Sequence, residues 1–179
     1  MMAEPRDFTV LPAGAFARAF PLVFGGVLLL AAMVVFALGF ERPLVAIGAL
    51  PALLALGTVV ALFAWAVHHP RVRLAEGVLR CGRLPRLRAP VASLDLDAAR
   101  VVDLGAERAL QPVLRLFGTS LPGYNEGWFW LRDKSRAFLV VTDRSRVLVL
   151  PRRDGGPVLL SLERPDALLD ALRRAPARG

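Results

Sequence analysis

The chain has 179 residues and a formal net charge of +8, from 23 basic and 15 acidic side chains, with a single cysteine, Cys81. One thiol excludes an intramolecular disulfide framework and suits a reducing compartment. The basic excess leaves two classes of partner in view, nucleic acid and the cytoplasmic flank of a membrane segment.

Residues 1–18 form a mixed lead-in with Pro5 and Pro12, in which Glu4, Asp7, Arg6 and Arg18 cancel in charge. Phe8, Phe16 and Phe20 either anchor it at headgroup depth or belong to a frayed terminus. Two uncharged stretches follow, Ala19–Phe40 and Pro43–Val67, separated only by Glu41-Arg42. At ~1.5 Å of rise per residue, a helix over either stretch crosses a hydrocarbon core of ~30 Å. Both stretches are apolar all round, as lipid-facing helices must be. A hairpin over 19–69 is therefore predicted, with Gly25-Gly26, Ala31-Ala32, Gly48, Ala52 and Ala55 marking its seam and Pro51 bending the second helix. No Asp, Glu, Lys or Arg falls inside either span, so an anchor or packing surface is expected rather than an ion pathway. The first run is too long, and its flank too weakly basic, for a cleaved signal peptide.

Trp65 and His68-His69 come next, and then Arg71, Arg73, Arg80, Arg83, Arg86 and Arg88 follow closely. Arginine this dense beside a span is retained on the cytoplasmic side, which puts both termini in the cytoplasm of a two-pass inner-membrane protein. From residue 70 the rhythm alternates. Arg71–Leu74 and Val78–Arg83 read as a hairpin around Glu76-Gly77, with Arg86–Arg88 a short edge strand and Ala99–Asp103 a fourth strand. Gly105–Glu126 reads as a long irregular segment, packed because of Val113-Leu114-Arg115-Leu116-Phe117. Strands are expected over Gly127–Leu131, Ala137–Thr142 and Arg146–Leu150, with a short edge strand at Pro157–Ser161. The chain closes with a helix over Pro165–Arg174, with Asp166 in its first turn, Arg173 and Arg174 in its last, and Leu168, Leu169 and Leu172 as its buried stripe.

The run Leu116-Phe117-Gly118-Thr119-Ser120-Leu121-Pro122-Gly123-Tyr124 resembles that of the bacterial pleckstrin-homology-like (PH-like) domains. So do Gly127-Trp128-Phe129, Val140-Val141-Thr142-Asp143 and Ser161 ahead of a Pro-Asp helix. More narrowly, the run is similar to the subfamily with an F-G-T-x-L-P-G-Y loop. The resemblance covers about residues 70–175. It implies two packed antiparallel sheets forming a partly open barrel, with the strands before the loop in one sheet, those after it in the other, and a C-terminal helix closing an end. The fold class is then α+β, a transmembrane helical hairpin over 19–69 followed by a PH-like domain over 70–179. The resemblance implies binding or assembly and no reaction. Phosphoinositide binding through a basic first loop does not carry over, because Glu76-Gly77 holds no Lys or Arg.

Two surfaces are candidates. The six arginines from Arg71 to Arg88 form either a face against anionic headgroups or an ordinary solvated sheet face. Phe117, Gly118, Leu121, Pro122, Gly123 and Tyr124 form either a partner-binding loop or a flap over the open barrel, with Phe117 and Leu121 in the core. Trp128 and Trp130 share one strand face and Phe129 takes the other, which favours core over nucleic-acid stacking. Adjacent histidines on a helix point ~100° apart and do not chelate one ion, so no cofactor or metal is expected. Asp95 and Asp97 read as solvated, and neither nucleotide-binding glycine motif is present. The expected function is non-enzymatic, a membrane-anchored module that binds another membrane protein or itself. The alternatives are a small redox or metal subunit using His68 or His69, and an anionic-lipid sensor.

Overall fold

The computed structural model describes residues 6–38, 43–68, 72–83 and 85–175. Phe40, Glu41, Arg42, His69 and Arg71, the surroundings of Gly48, and the side chains of Trp65 and His68 lie outside what is described. The chain divides into two compact units, one helical and one rich in strands.

The helical unit holds α1 (Ala15–Leu38) and α2 (Pro43–His68). Within α1, Ala15–Ala37 is long and apolar enough to cross a membrane, and α2 carries a shorter apolar run over Pro51–Leu62. α1 begins four residues upstream of the expected Ala19 and so takes in Arg18. Leu22, Val23, Val27 and Leu30 stand exposed along it, a polarity that suits lipid and not water. The helices pack on one another where Gly25, in the first half of α1, meets Val60, in the second half of α2. A methyl group on Gly25 would lie 2.3 Å from a Val60 methyl. Gly25 therefore belongs to the seam as expected. Gly26, with open space beside it, does not. On α2 the covered side is Leu53, Leu56, Gly57 and Val60, whereas Ala52 and Ala55 face outward. Small residues let backbones approach, but here a glycine on one helix receives a valine from the other.

The second unit is built on two sheets. The first has the order β1 (Arg6–Phe8), β2 (Val72–Ala75), β3 (Val78–Cys81) and β4 (Leu87–Pro90), all antiparallel. β1 corrects the lead-in reading: Arg6–Phe8 is a strand paired with the one that follows α2. The second sheet draws on β5 (Arg100–Val102), β6 (Pro112–Leu121), β7 (Tyr124–Leu131), β8 (Arg136–Val141), β9 (Val147–Arg152) and β10 (Gly155–Leu160), in the order β5-β9-β10-β8-β7-β6. β5 thus leaves the sheet that was expected to hold it and pairs with β9. β10 is no edge strand. It fills the slot that the β8-to-β9 connection skips, parallel to β8 and antiparallel to β9, and Val158, Leu159 and Leu160 are fully buried there. Interior strands read as continuous apolar runs, which is why Pro157–Ser161 shows no alternation. The arrangement is α+β with one parallel pair, not purely antiparallel.

The long segment over Gly105–Glu126 is not irregular. Apart from a 3-10 turn at Arg108–Leu110 it is mostly the β6–β7 hairpin, turning at Pro122-Gly123. Two register shifts in β6 break its alternation and hide it from a period-two reading. Opposite each other in this hairpin stand Gly118 and Gly127, with φ of 126° and 127°. A methyl on either would lie 2.1–2.2 Å from a carbonyl oxygen of the facing strand. Only glycine takes that backbone at that distance, which explains physically why both motifs hold glycine.

The larger core lies between the sheets and beneath α3 (Pro165–Arg174), with Leu79, Cys81, Phe138, Leu148, Leu160, Leu168 and Leu172 among its members. A second cluster, including Leu104, Leu110, Phe129, Leu139 and Val149, occupies the opposite face of the six-stranded sheet. The gaps between the sheets are stitched on two sides, by the Val10–Leu162 and Leu94–Arg152 bridges. Buried Ser161 ties the first of these to the β8 end, accepting from the Thr142 and Asp143 amides and donating to the Asp143 carbonyl at 2.6 Å. Strained backbone of the Gly118/Gly127 kind costs ~1–3 kcal/mol when a side chain is forced onto it. Gly118→Ala and Gly127→Ala should therefore each lower stability by about 2 kcal/mol, read as a lower urea midpoint at constant slope.

Candidate functional site

Strand register brings three of the six arginines into one line. Asp7, Arg73, Arg80 and Arg88 are successive cross-strand partners over all four strands of the first sheet, and all four are exposed. Directly opposed residues sit ~4.5–5.5 Å apart at Cβ, and like charges so placed repel. Asp7 meets the Arg73 guanidinium with two hydrogen bonds, of 2.5 and 2.8 Å, and this pairing raises the pKa of Arg73. Arg80 and Arg88 complete a strip of guanidinium donors on the outer face. Arg86 is exposed on the turn before β4, its Nε donating to the Arg83 carbonyl at 3.2 Å.

Arg83 overturns the expectation of a surface arginine, since it is only 9% exposed. Its backbone N–H donates to Glu126 Oε1 at 2.5 Å, while the Tyr124 hydroxyl donates to Glu126 Oε2. Tyr124 and Glu126 are both buried. Burial pushes the Tyr124 phenol well above its ordinary pKa, the Glu126 charge and hydrogen bond push it further, and Arg83 opposes them. This cluster joins the β3–β4 connection of one sheet to β7 of the other. Tyr124 is therefore an internal strut and does not belong to an exposed partner-binding loop. Cys81 is fully buried and its thiol pKa is raised by that burial, so it is a core residue rather than a nucleophile.

Phe117, which the flap reading put in the core, is 63% exposed, with Val113 at 64%, Leu114 at 58% and Leu116 at 41% beside it on β6. Leu121 is half-buried, and Pro122 and Gly123 form the exposed turn, where the Gly123 carbonyl accepts from Gly14 N–H. β6 ends its sheet, so it has one strand neighbour among the described residues. Leu114 pairs with Trp130 and Phe117 with Trp128, so this edge presents an apolar strip continuous with the two tryptophans. Trp128 meets Phe138 edge-on at 5.3 Å, and Arg136 lies 4.9 Å over Trp130. An open groove of about 480 Å³ lies at the Val113–Leu114 end of the strip, lined by Val113, Leu114, Trp130, Leu131, Arg132 and Lys134. Burying one Leu or Phe side chain contributes ~1.5–3 kcal/mol, so leaving four apolar side chains exposed is costly unless something covers them. The sequence signal was present in the Pro122-Gly123 turn between two apolar runs, but Pro112, Gly118 and the register shifts masked the strand.

Residues 86–175, half of the chain, match the family model described as Bacterial PH domain. The chain belongs to that family. No curated protein and no solved structure matches it significantly. The matched segment runs from the turn before β4 through α3, so β1, β2 and β3, with Arg73 and Arg80, precede it. PH domains are generally non-catalytic binding modules, and membership supports a binding or assembly module at that coarse level. Among its described residues no three His, Cys, Asp or Glu side chains gather as a metal site would require. A hydrogen bond to a charged group contributes ~1.5–3 kcal/mol, and the Glu126 carboxylate is left short of one donor when Tyr124 loses its hydroxyl. Tyr124→Phe should lower unfolding stability by that ~1.5–3 kcal/mol without altering the exposed strip, measurable by denaturant titration.

Proposed function

We propose that this bacterial PH domain is a non-enzymatic assembly module held at the cytoplasmic face of a bacterial inner membrane by a two-pass hairpin of α1 and α2. The observation that carries the reading is the pairing of β1 with β2. β1 precedes α1 and β2 follows α2, so both flanks of the apolar segment belong to one sheet. A segment that leaves a sheet and returns to it crosses a bilayer an even number of times. With α1 spanning, α2 brings the chain back. The arginines that follow α2 favour the cytoplasm as the side on which the sheet forms. The partner is another membrane protein or a second copy, met at the surface of the tethered domain.

A second reading concerns lipid, and the Arg73–Arg80–Arg88 row favours it. Each arginine near an anionic surface contributes ~1 kcal/mol, screened within a Debye length. Only residues 69–72 separate the end of α2 from Arg73, so the row begins a short chain length from the anchor. Alkaline carbonate should leave the full chain in the membrane pellet, and reporters fused at either end should be active only in the cytoplasm. Release into the aqueous fraction, or a reporter active outside the cytoplasm, contradicts the anchoring. In nanodiscs of anionic lipid, phenylglyoxal should modify Arg80 and Arg88 more slowly than in neutral nanodiscs, and equal rates would contradict the lipid contact.

A further inference from the structure

We infer that the free edge of β6 receives an extended, acidic-apolar segment of another protein, which adds to the six-stranded sheet as a further strand. This rests on the reading of the chain as a binding module and names the chemistry of its partner. An edge strand offers a row of backbone donors and acceptors, and native proteins ordinarily blunt such an edge with charge. On β6 the stretch Val113–Phe117 is apolar and exposed except for Arg115. A strand laid beside it continues the ladder, and its side chains on one face meet Leu114 and Phe117 next to Trp130 and Trp128. Strand addition draws its affinity from main-chain hydrogen bonds and its specificity from alternate side chains, and this edge supplies both.

Charge selects the occupant. Among the described residues, the exposed ionic side chains on β6 and from Arg132 to Arg136 beside it are Arg115, Arg132, Lys134 and Arg136, with Asp133 the one acid in that set. The Asp133 carboxylate is already engaged by the Ser135 N–H and hydroxyl. A partner strand carrying Glu or Asp between apolar residues meets this ring favourably. A second copy of the chain brings the same cations and, paired antiparallel about the centre of the stretch, sets its Arg115 close to the first. The register shifts that kink β6 also disfavour long, flat self-pairing.

The test uses the full chain in nanodiscs of neutral lipid and a fluorescein-labelled peptide of alternating valine and glutamate, followed by anisotropy and amide hydrogen exchange. The peptide is expected to bind at least about tenfold more tightly than its valine–lysine counterpart and than a version with proline at its centre. Exchange at residues 113–117 should slow when it binds. Phe117→Asp should weaken binding about tenfold, and Arg115→Glu should abolish the preference for the acidic peptide. Both positions are exposed, and unchanged exchange in β8 and β10 would show that the variants fold. Absence of binding, binding indifferent to peptide charge or to proline, or protection of 113–117 by lipid alone or by self-association would each overturn the inference. Retention of the chain in carbonate-washed membranes is independent of these outcomes, so the anchoring stands or falls separately.

Discussion

Three residues, Arg6–Phe8, bear a constraint out of proportion to their number. Their pairing with β2 joins strands that lie on either side of the whole helical segment. Closing a flexible connection of about 60 residues costs on the order of 4 kcal/mol in chain entropy, before any contact repays it. Two helices packed on each other lower that cost, because their association already brings the two ends of the segment together. The Asp7–Arg73 ion pair is exposed and adds little in water. What holds the strand is backbone bonding and burial. Val10 is buried and bridges to Leu162, Leu11 N–H donates to the Ser161 carbonyl, and Glu163 N–H donates to the Thr9 carbonyl. The N-terminal segment is therefore sewn first to the smaller sheet and then to the chain after β10, closing one side of the space between the sheets.

The two sheets divide the chemistry between them. The smaller one turns a row of guanidinium groups outward on β2, β3 and β4. The larger one ends in an apolar edge ringed by cations. Buried Glu126 links them, receiving the Arg83 N–H from the connection between β3 and β4 and the hydroxyl of Tyr124 from β7. A carboxylate taken out of water is costly unless its oxygens accept hydrogen bonds, and here both do. The same hairpin thus turns one side inward to fix the sheets together and leaves its other strand free.

Much of this was legible from residues alone. β8, β9 and α3 lie within a residue or two of their expected boundaries and β7 begins three residues early, because each is bounded by clear turn or cap punctuation. Elements failed where local pattern and tertiary role diverge. β10 reads as a featureless apolar run, since it is enclosed on both faces. β6 loses its period to two register shifts. β1 is too short to signal at all, and its partner lies beyond two helices. The site residues divided for a related reason. Arg73, Arg80 and Arg88 share a face by strand periodicity, whereas Arg83 sits past the end of β3, where periodicity no longer says which way a side chain turns. Neither loop reading held whole: Phe117, which the flap reading put in the core, is exposed, and Tyr124, counted in the partner-binding loop, is buried, since nothing local tells an edge strand from a flap.

The central claim is that the flanks of the apolar helices are adjacent strands on one side of the bilayer. Replacing Asp7 and Arg73 with cysteine puts two thiols at directly opposed exposed positions of β1 and β2. Such pairs lie ~4.5–5.5 Å apart at Cβ, close enough to bridge with a small adjustment. In sealed vesicles containing the full chain, mild oxidation should join them within one molecule, and after reduction both should react with an impermeant maleimide from the same side. Thiols that stay reduced, or that label from opposite sides of the membrane, would contradict the account.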